Sequence, residues 1–146
     1  MKTYDIGVIA GDGIGIEVIP EGMRVLQETA SIFGFGLKFE EYPWGSQYFL
    51  RHGSMMPEGA LNELKDADAI YFGAVGDSRV ADRIALGGLI IKIRQSFEQF
   101  ANVRPAFLYG GVISPLSGKK PGSIDCVVVR ENTEGEYAPV GGRTHR

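Results

Sequence analysis

Short apolar runs that alternate with segments of helical period constrain the fold of this chain more than any other feature. Asp5 to Ala10 (DIGVIA) is such a run and reads as a buried strand. Gly11-Asp12-Gly13-Ile14-Gly15 then turns the chain. Ile14, Val18, Gly22, Val25, Leu26, Thr29 and Phe33 share one helical face, and Gly34 stands where a C-cap belongs. Pro20 predicts either a helix start near Glu17 or a kink, because an interior proline removes a hydrogen bond. Leu37 to Tyr42 alternates as a second strand, and Trp44 to His52 has room for a turn of helix. Pro57 to Lys65 reads as a helix with proline in its first turn. Asp68 to Phe72 (DAIYF) is a third strand, with Gly73 to Asp77 as its exit loop. Val103 to Leu108 and Ser123 to Arg130 read as two more, on either side of a loop rich in Gly, Pro and Ser. This order predicts an α/β layered fold with a largely parallel sheet.

Between the third and fourth strands lies Leu89 to Pro105 (LIIKIRQSFEQFANVRP), which predicts an amphipathic helix running straight into a strand. Leu89, Ile93, Phe97 and Phe100 fall on one face, with Ile90 at its edge. Arg94 lies about 40° beyond Ile90, so its stem can follow apolar surface while its head reaches a cleft. Arg104 precedes Pro105, which demands an extended backbone. Arg130 closes the apolar run Cys126 to Val129. Three guanidinium groups at the ends of core elements suggest a pocket for a ligand with more than one carboxylate or phosphate. Each arginine taken singly is more simply read as a solvated surface residue.

The remaining signals are mostly exclusions. Net charge is −3 over 146 residues with no basic tract, which argues against nucleic acid. No apolar run approaches membrane-spanning length. Met1 to Asp5 leads into a short apolar run that ends at glycines, so no signal peptide is expected and the expected compartment is the cytoplasm. Cys126, the single cysteine, sits in an apolar strand and is expected to be a buried small hydrophobe. His52 reads as a surface residue and His145 as a tail residue, and no nucleophile triad is visible. The Gly11–Gly15 turn has the position of a dinucleotide fingerprint, but Val18 stands where the third glycine would close the strand–helix packing. A tight turn using glycine for positive φ explains it equally well. Glu131 to Arg146 follows the last strand without a covering helix, which reads as the interruption of a larger fold.

Three blocks taken together resemble the β-decarboxylating dehydrogenases, the family of 3-isopropylmalate, isocitrate, tartrate and D-malate dehydrogenases. They are Gly11 to Glu17, the run IRQSFEQFANVRP ending at Pro105, and VVVRENTEGEY ending at Tyr137. The resemblance covers the N-terminal portion of such proteins and is nearest to the tartrate and D-malate branch. It implies an isopropylmalate-dehydrogenase-like α/β/α fold, incomplete here, with residues 1–100 in the large domain and 101–146 opening the second. By resemblance, Arg94, Arg104 and Arg130 hold the substrate carboxylates and Tyr137 is the general acid toward the enol. Leu89 and Ile90 face the variable substituent; Ile14, Val75, Gly76 and Asp77 lie near the nicotinamide. The implied activity is NAD- and metal-dependent oxidative decarboxylation of a 2-hydroxy diacid. The Mg2+ or Mn2+ ligands and a catalytic lysine are expected outside this chain, and the working form is expected to be a homodimer. Isopropylmalate enzymes tend to carry glutamate where Gly87 stands, and isocitrate enzymes a serine near Leu89. Tartrate or malate therefore ranks ahead of isopropylmalate as substrate. The 146-residue chain alone is expected to be inactive. The alternative reading is a truncated fragment or split subunit that binds a ligand or partner without catalysis.

Overall fold

The computed structural model describes residues 2–138, 140–142 and 144, with Glu136 described for its backbone only. It contains two compact units, Met1–Ile93 and Arg94–Arg146. The chain runs β1 (Thr3–Gly11), α1 (Ile14–Phe33), β2 (Gly36–Glu41), α2 (Ser46–His52), α3 (Ala60–Leu64), β3 (Ala69–Ala74) and α4 (Asp82–Ala85). A π-helical turn (Leu86–Ile90), α5 (Ile91–Ser96), β4 (Ala101–Phe107), β5 (Asp125–Glu131) and a 3-10 turn (Gly135–Tyr137) follow.

The first unit is built on a parallel sheet in the order β2-β1-β3. β1 is central, and its Gly7, Val8 and Ile9 are buried, as the unbroken apolar run requires. Ile19 and Ala30 of α1, Leu64 of α3, and Leu89 and Ile93 complete much of its core. The sequence expectation of an α/β fold with parallel strands joined by helices is what the structure contains.

Helix α1 departs from expectation in its face. Ile14, Val18, Val25 and Phe33 are 60%, 48%, 66% and 74% exposed. The buried residues are Gly15, Ile19 and Ala30. The reason is close approach. A Cβ on Gly15 would lie 2.1 Å from the Ala10 carbonyl oxygen and 2.8 Å from the Ala74 nitrogen. The helix therefore meets the sheet closely at Gly15, beside the buried Ile19, and a count of large apolar side chains does not register that glycine. Gly15, and not a residue at Val18, closes the strand–helix packing. The helix begins at Ile14 and contains Pro20, so the expected late start does not occur. Gly34 does cap it, in the left-handed conformation with φ 73°, its N–H donating to the Ala30 carbonyl.

The segment from Leu89 is also corrected. Leu89 and Ile93 are buried as expected, but helix α5 ends at Ser96. Glu98 takes a left-handed turn with φ 52°, and Phe100 is 66% exposed. The chain turns because Ala101–Phe107 must extend to pair with β5, which the helix could not do while continuing to Phe100.

In the second unit β4 and β5 form an antiparallel pair. Val127, Val128 and Val129 are each more than half exposed, and Cys126 is exposed rather than buried. A valine run predicts burial only when the strand is covered on both faces, and β5 belongs to a two-stranded sheet. His52 is exposed and stacks on Tyr48 at 4.3 Å between ring centroids. His145 lies outside the described residues.

Candidate active site

The register of β4 and β5 builds the centre of the second unit. Arg104 pairs with Val128 and Asn102 with Arg130. Residues two apart on a strand share a face, so Arg104 and Arg130 stand on one side as diagonal neighbours, about 7–8 Å apart at that spacing. Arg94, on α5, is within Coulomb reach of both. Burial first, then the charges of Arg130 and Arg104, pull its guanidinium pKa below the ordinary value. Arg94 and Arg130 are half-buried and Arg104 is exposed. Among the described residues none of the three joins an ion pair. Arg104 Nε donates to Asn102 Oδ1 at 3.1 Å. The Arg130 guanidinium lies 4.8 Å from the centroid of the Tyr137 ring, a cation–π contact that brings the phenol beside the cluster.

Side chains without an individual role in the sequence reading hold this arrangement. Gln95 Nε2 donates to the Tyr137 carbonyl at 2.9 Å, tying the tyrosine segment to α5. Asn132, 4% exposed, donates from Nδ2 to the Gln99 carbonyl at 3.3 Å and so links the exit of β5 to the α5–β4 turn. Its Oδ1 is buried without a hydrogen-bond partner among the described residues. The Glu131 carboxylate accepts from the Thr133 N–H at 2.7 Å, the Thr133 hydroxyl at 2.8 Å and the Glu134 N–H at 2.9 Å. Led by the Thr133 N–H, these bonds hold its carboxyl below the usual carboxylate range. Gln95, Glu131 and Asn132 all lie inside the motif blocks, so their positions were visible in the sequence although their partners were not.

In the first unit the candidate cofactor residues gather at the carboxyl ends of β1 and β3, where parallel sheets place ligands. Gly11 pairs with Ala74, and the Asp12 N–H donates to the Ala74 carbonyl at 2.7 Å. Gly11 and Gly13 both have positive φ, as the tight turn demands. Ile14 is 60% exposed, Val75 and Asp77 are half-buried, and Gly76 is exposed. A Cβ on Gly13 or Gly76 would meet nothing within 4 Å, so both border open space. Asp77 is already engaged: Arg79 donates from Nε at 2.9 Å, from Nη2 at 2.6 Å and from its backbone N–H at 2.9 Å. The side-chain bonds chiefly, and the backbone bond next, hold the Asp77 pKa down to about 2. Leu89 is fully buried in the π-helical turn and Ile90 half-buried.

Among the described residues no three His, Cys, Asp or Glu side chains are grouped to hold a metal ion, so they do not make a divalent-metal site. No described helix is long and apolar enough to cross a membrane.

The sequence profile of the isocitrate/isopropylmalate dehydrogenase family matches residues 5–144. The chain is 54% identical over 147 residues to D-malate dehydrogenase [decarboxylating] of Escherichia coli (strain K12), covering 99% of this chain and 41% of that one. It is 50% identical over 142 residues to tartrate dehydrogenase/decarboxylase of Pseudomonas putida, covering 96% and 39%. The fold is similar to the crystal structure of isocitrate dehydrogenase from Methylococcus capsulatus, with TM-score 0.75 and 25% identity over 94% of this chain and 37% of that one. It is also similar to the apo β-decarboxylating dehydrogenase from Thermococcus kodakarensis, with TM-score 0.62 and 33% identity over 90% and 35%. The chain thus spans about 41% of the length of the first of these relatives.

Proposed function

Because the chain belongs to the isocitrate/isopropylmalate dehydrogenase family, we propose that it contributes the diacid-binding arginines and the proton-donating tyrosine of a decarboxylating dehydrogenase acting on tartrate or D-malate. The observation that carries this reading is the shared face of Arg104 and Arg130, with Arg94 in Coulomb reach and the Tyr137 ring against Arg130. Three like charges that have no carboxylate partner among the described residues repel one another, and a dianion relieves that repulsion. The guanidinium forks donate to its two carboxylates in bidentate pairs, which fix the hydroxyl-bearing carbon.

Ile14 and the loop Val75 to Asp77 would hold the nicotinamide of NAD, which when bound supplies the hydride acceptor. Once the hydroxyl carbon is oxidised, its O–H proton passing to a base such as the lysine expected outside this chain, the carboxylate β to the new carbonyl can leave as CO2, and the arginines stabilise the negative charge left behind. Tyr137, whose phenol carries a transferable proton, donates the proton that returns to carbon.

A second reading is favoured by the lack of a metal-donor set among the described residues: the chain binds the diacid and turns it over only with a complementing polypeptide. Calorimetric titration of the purified chain with D-malate and tartrate, beside NAD reduction assays containing Mn2+, separates the readings. Diacid binding lost in Arg130→Ala supports the site, and turnover by the chain alone supports full activity. Turnover only on adding the remaining part of a relative supports the split form. No diacid binding at all sinks both.

A further inference from the structure

We propose that the buried carboxylate of Asp12 is a positioning residue, one that fastens the exit loop of β3 to the start of α2 and so shapes the nicotinamide end of the cofactor site. The proposal rests on the cofactor reading of Val75 to Asp77. Asp12 is 3% exposed and Ser46 fully buried. Oδ1 of Asp12 accepts the Ser46 N–H at 2.7 Å. Oδ2 accepts the Ser46 hydroxyl at 2.6 Å and the Gly76 N–H at 3.0 Å. A Cβ on Gly45 would stand 2.9 Å from Oδ1, so three distant stretches of chain converge here with no spare room.

Among the described residues Asp12 joins no ion pair. A buried carboxylate that makes no direct ion pair is costly unless its oxygens are filled with donors. Here two of the donors are backbone N–H groups, which cannot reverse. Gly76 is the donor that matters for function, because it sits in the loop assigned to the nicotinamide. Fastened at Gly76, the loop presents Val75 and Asp77 already in place, so less order is lost when a ligand arrives.

Asp12→Asn separates this role from a general structural one. The amide oxygen of asparagine can still accept the Ser46 N–H. Its NH2 then faces the Ser46 hydroxyl, which can rotate and accept, and the Gly76 N–H, which cannot. The substitution therefore cuts the loop bond and spares the others. Losing a hydrogen bond to a charged group, worth about 1.5–3 kcal/mol, corresponds to about 10- to 150-fold faster exchange of the Gly76 amide.

The experiment measures amide exchange by NMR, with nicotinamide mononucleotide titrated into the same samples. Asp12→Asn is expected to speed Gly76 exchange, leave the Ser46 amide protected and weaken mononucleotide binding. Ser46→Ala, which leaves the Gly76 bond intact, is expected to change neither Gly76 exchange nor binding. Unchanged Gly76 exchange in Asp12→Asn overturns the proposal. So does faster exchange with undiminished binding, or an Asp12→Asn chain that does not fold, since each makes Asp12 purely structural. If the unsubstituted chain binds no mononucleotide, the cofactor reading itself falls and takes the positioning role with it.

Discussion

Arg104 shows how a residue's meaning depends on what stands across the sheet from it. In sequence it was an arginine before a proline, and alone it read as solvated. Pairing with Val128 sets it beside Arg130, and both act on Arg94. Arg104→Met is therefore expected to weaken tartrate or D-malate binding by about 1.5–3 kcal/mol, a loss of about 10- to 150-fold. In the absence of diacid the same variant should melt no lower than the parent, because one repelling charge has gone. Calorimetry and a thermal melt check the two halves, and unchanged affinity would remove Arg104 from the site. The arginines were legible as candidates because the motif blocks name them. Gln95 and Asn132 were not, because each acts on a carbonyl 42 and 33 residues away, respectively, which no spacing rule reaches.

Helix α1 shows the same limit for an element. Its existence, its first turn at glycines and its cap at Gly34 were legible, because caps and periodicity are written in neighbouring residues. The expected face holds in part, at the half-buried Gly22, Leu26 and Thr29, but Ile14, Val18, Val25 and Phe33 outweigh Gly15 on any hydrophobic scale and pull the expected face round toward solvent. Gly15 decides the packing by being small. Gly15→Ala would drive a methyl into the Ala10 carbonyl and the Ala74 nitrogen, backbone atoms that cannot swing aside. The expected cost is about 1–3 kcal/mol or more. Gly87→Ala, in the π-helical turn, meets nothing within 4 Å and should be neutral or stabilising by up to about 1 kcal/mol. Urea midpoints of the two variants test the contrast, and a Gly15→Ala chain as stable as its parent would refute the close approach.

Across the whole chain, the two units differ in how fully they cover their own apolar groups. In the first, β1 lies between two strands and buries its centre, Gly7 to Ile9. In the second, the β4–β5 pair alternates: Arg104, Asn102 and Arg130 on one face, and Val103, Phe107, Val127 and Val129 on the other. Those four are 62%, 47%, 59% and 68% exposed, a contiguous apolar patch of the kind that binds dyes and partners. The chain is expected to bind a hydrophobic fluorescent dye, and Val127→Lys with Val129→Lys to remove most of that signal while leaving diacid affinity intact. A signal that survives the double substitution would place the sticky surface elsewhere. The order of strands and helices, the turn glycines, the Gly34 cap and the family were determined by the sequence alone, since each is a local pattern or a motif match. The buried face of α1, the turn at Glu98, the exposure of Cys126 and the shared face of Arg104 and Arg130 were decided only by tertiary structure. Those are relations between residues far apart in the chain, and pairing and close packing select among local patterns that are equally good by themselves.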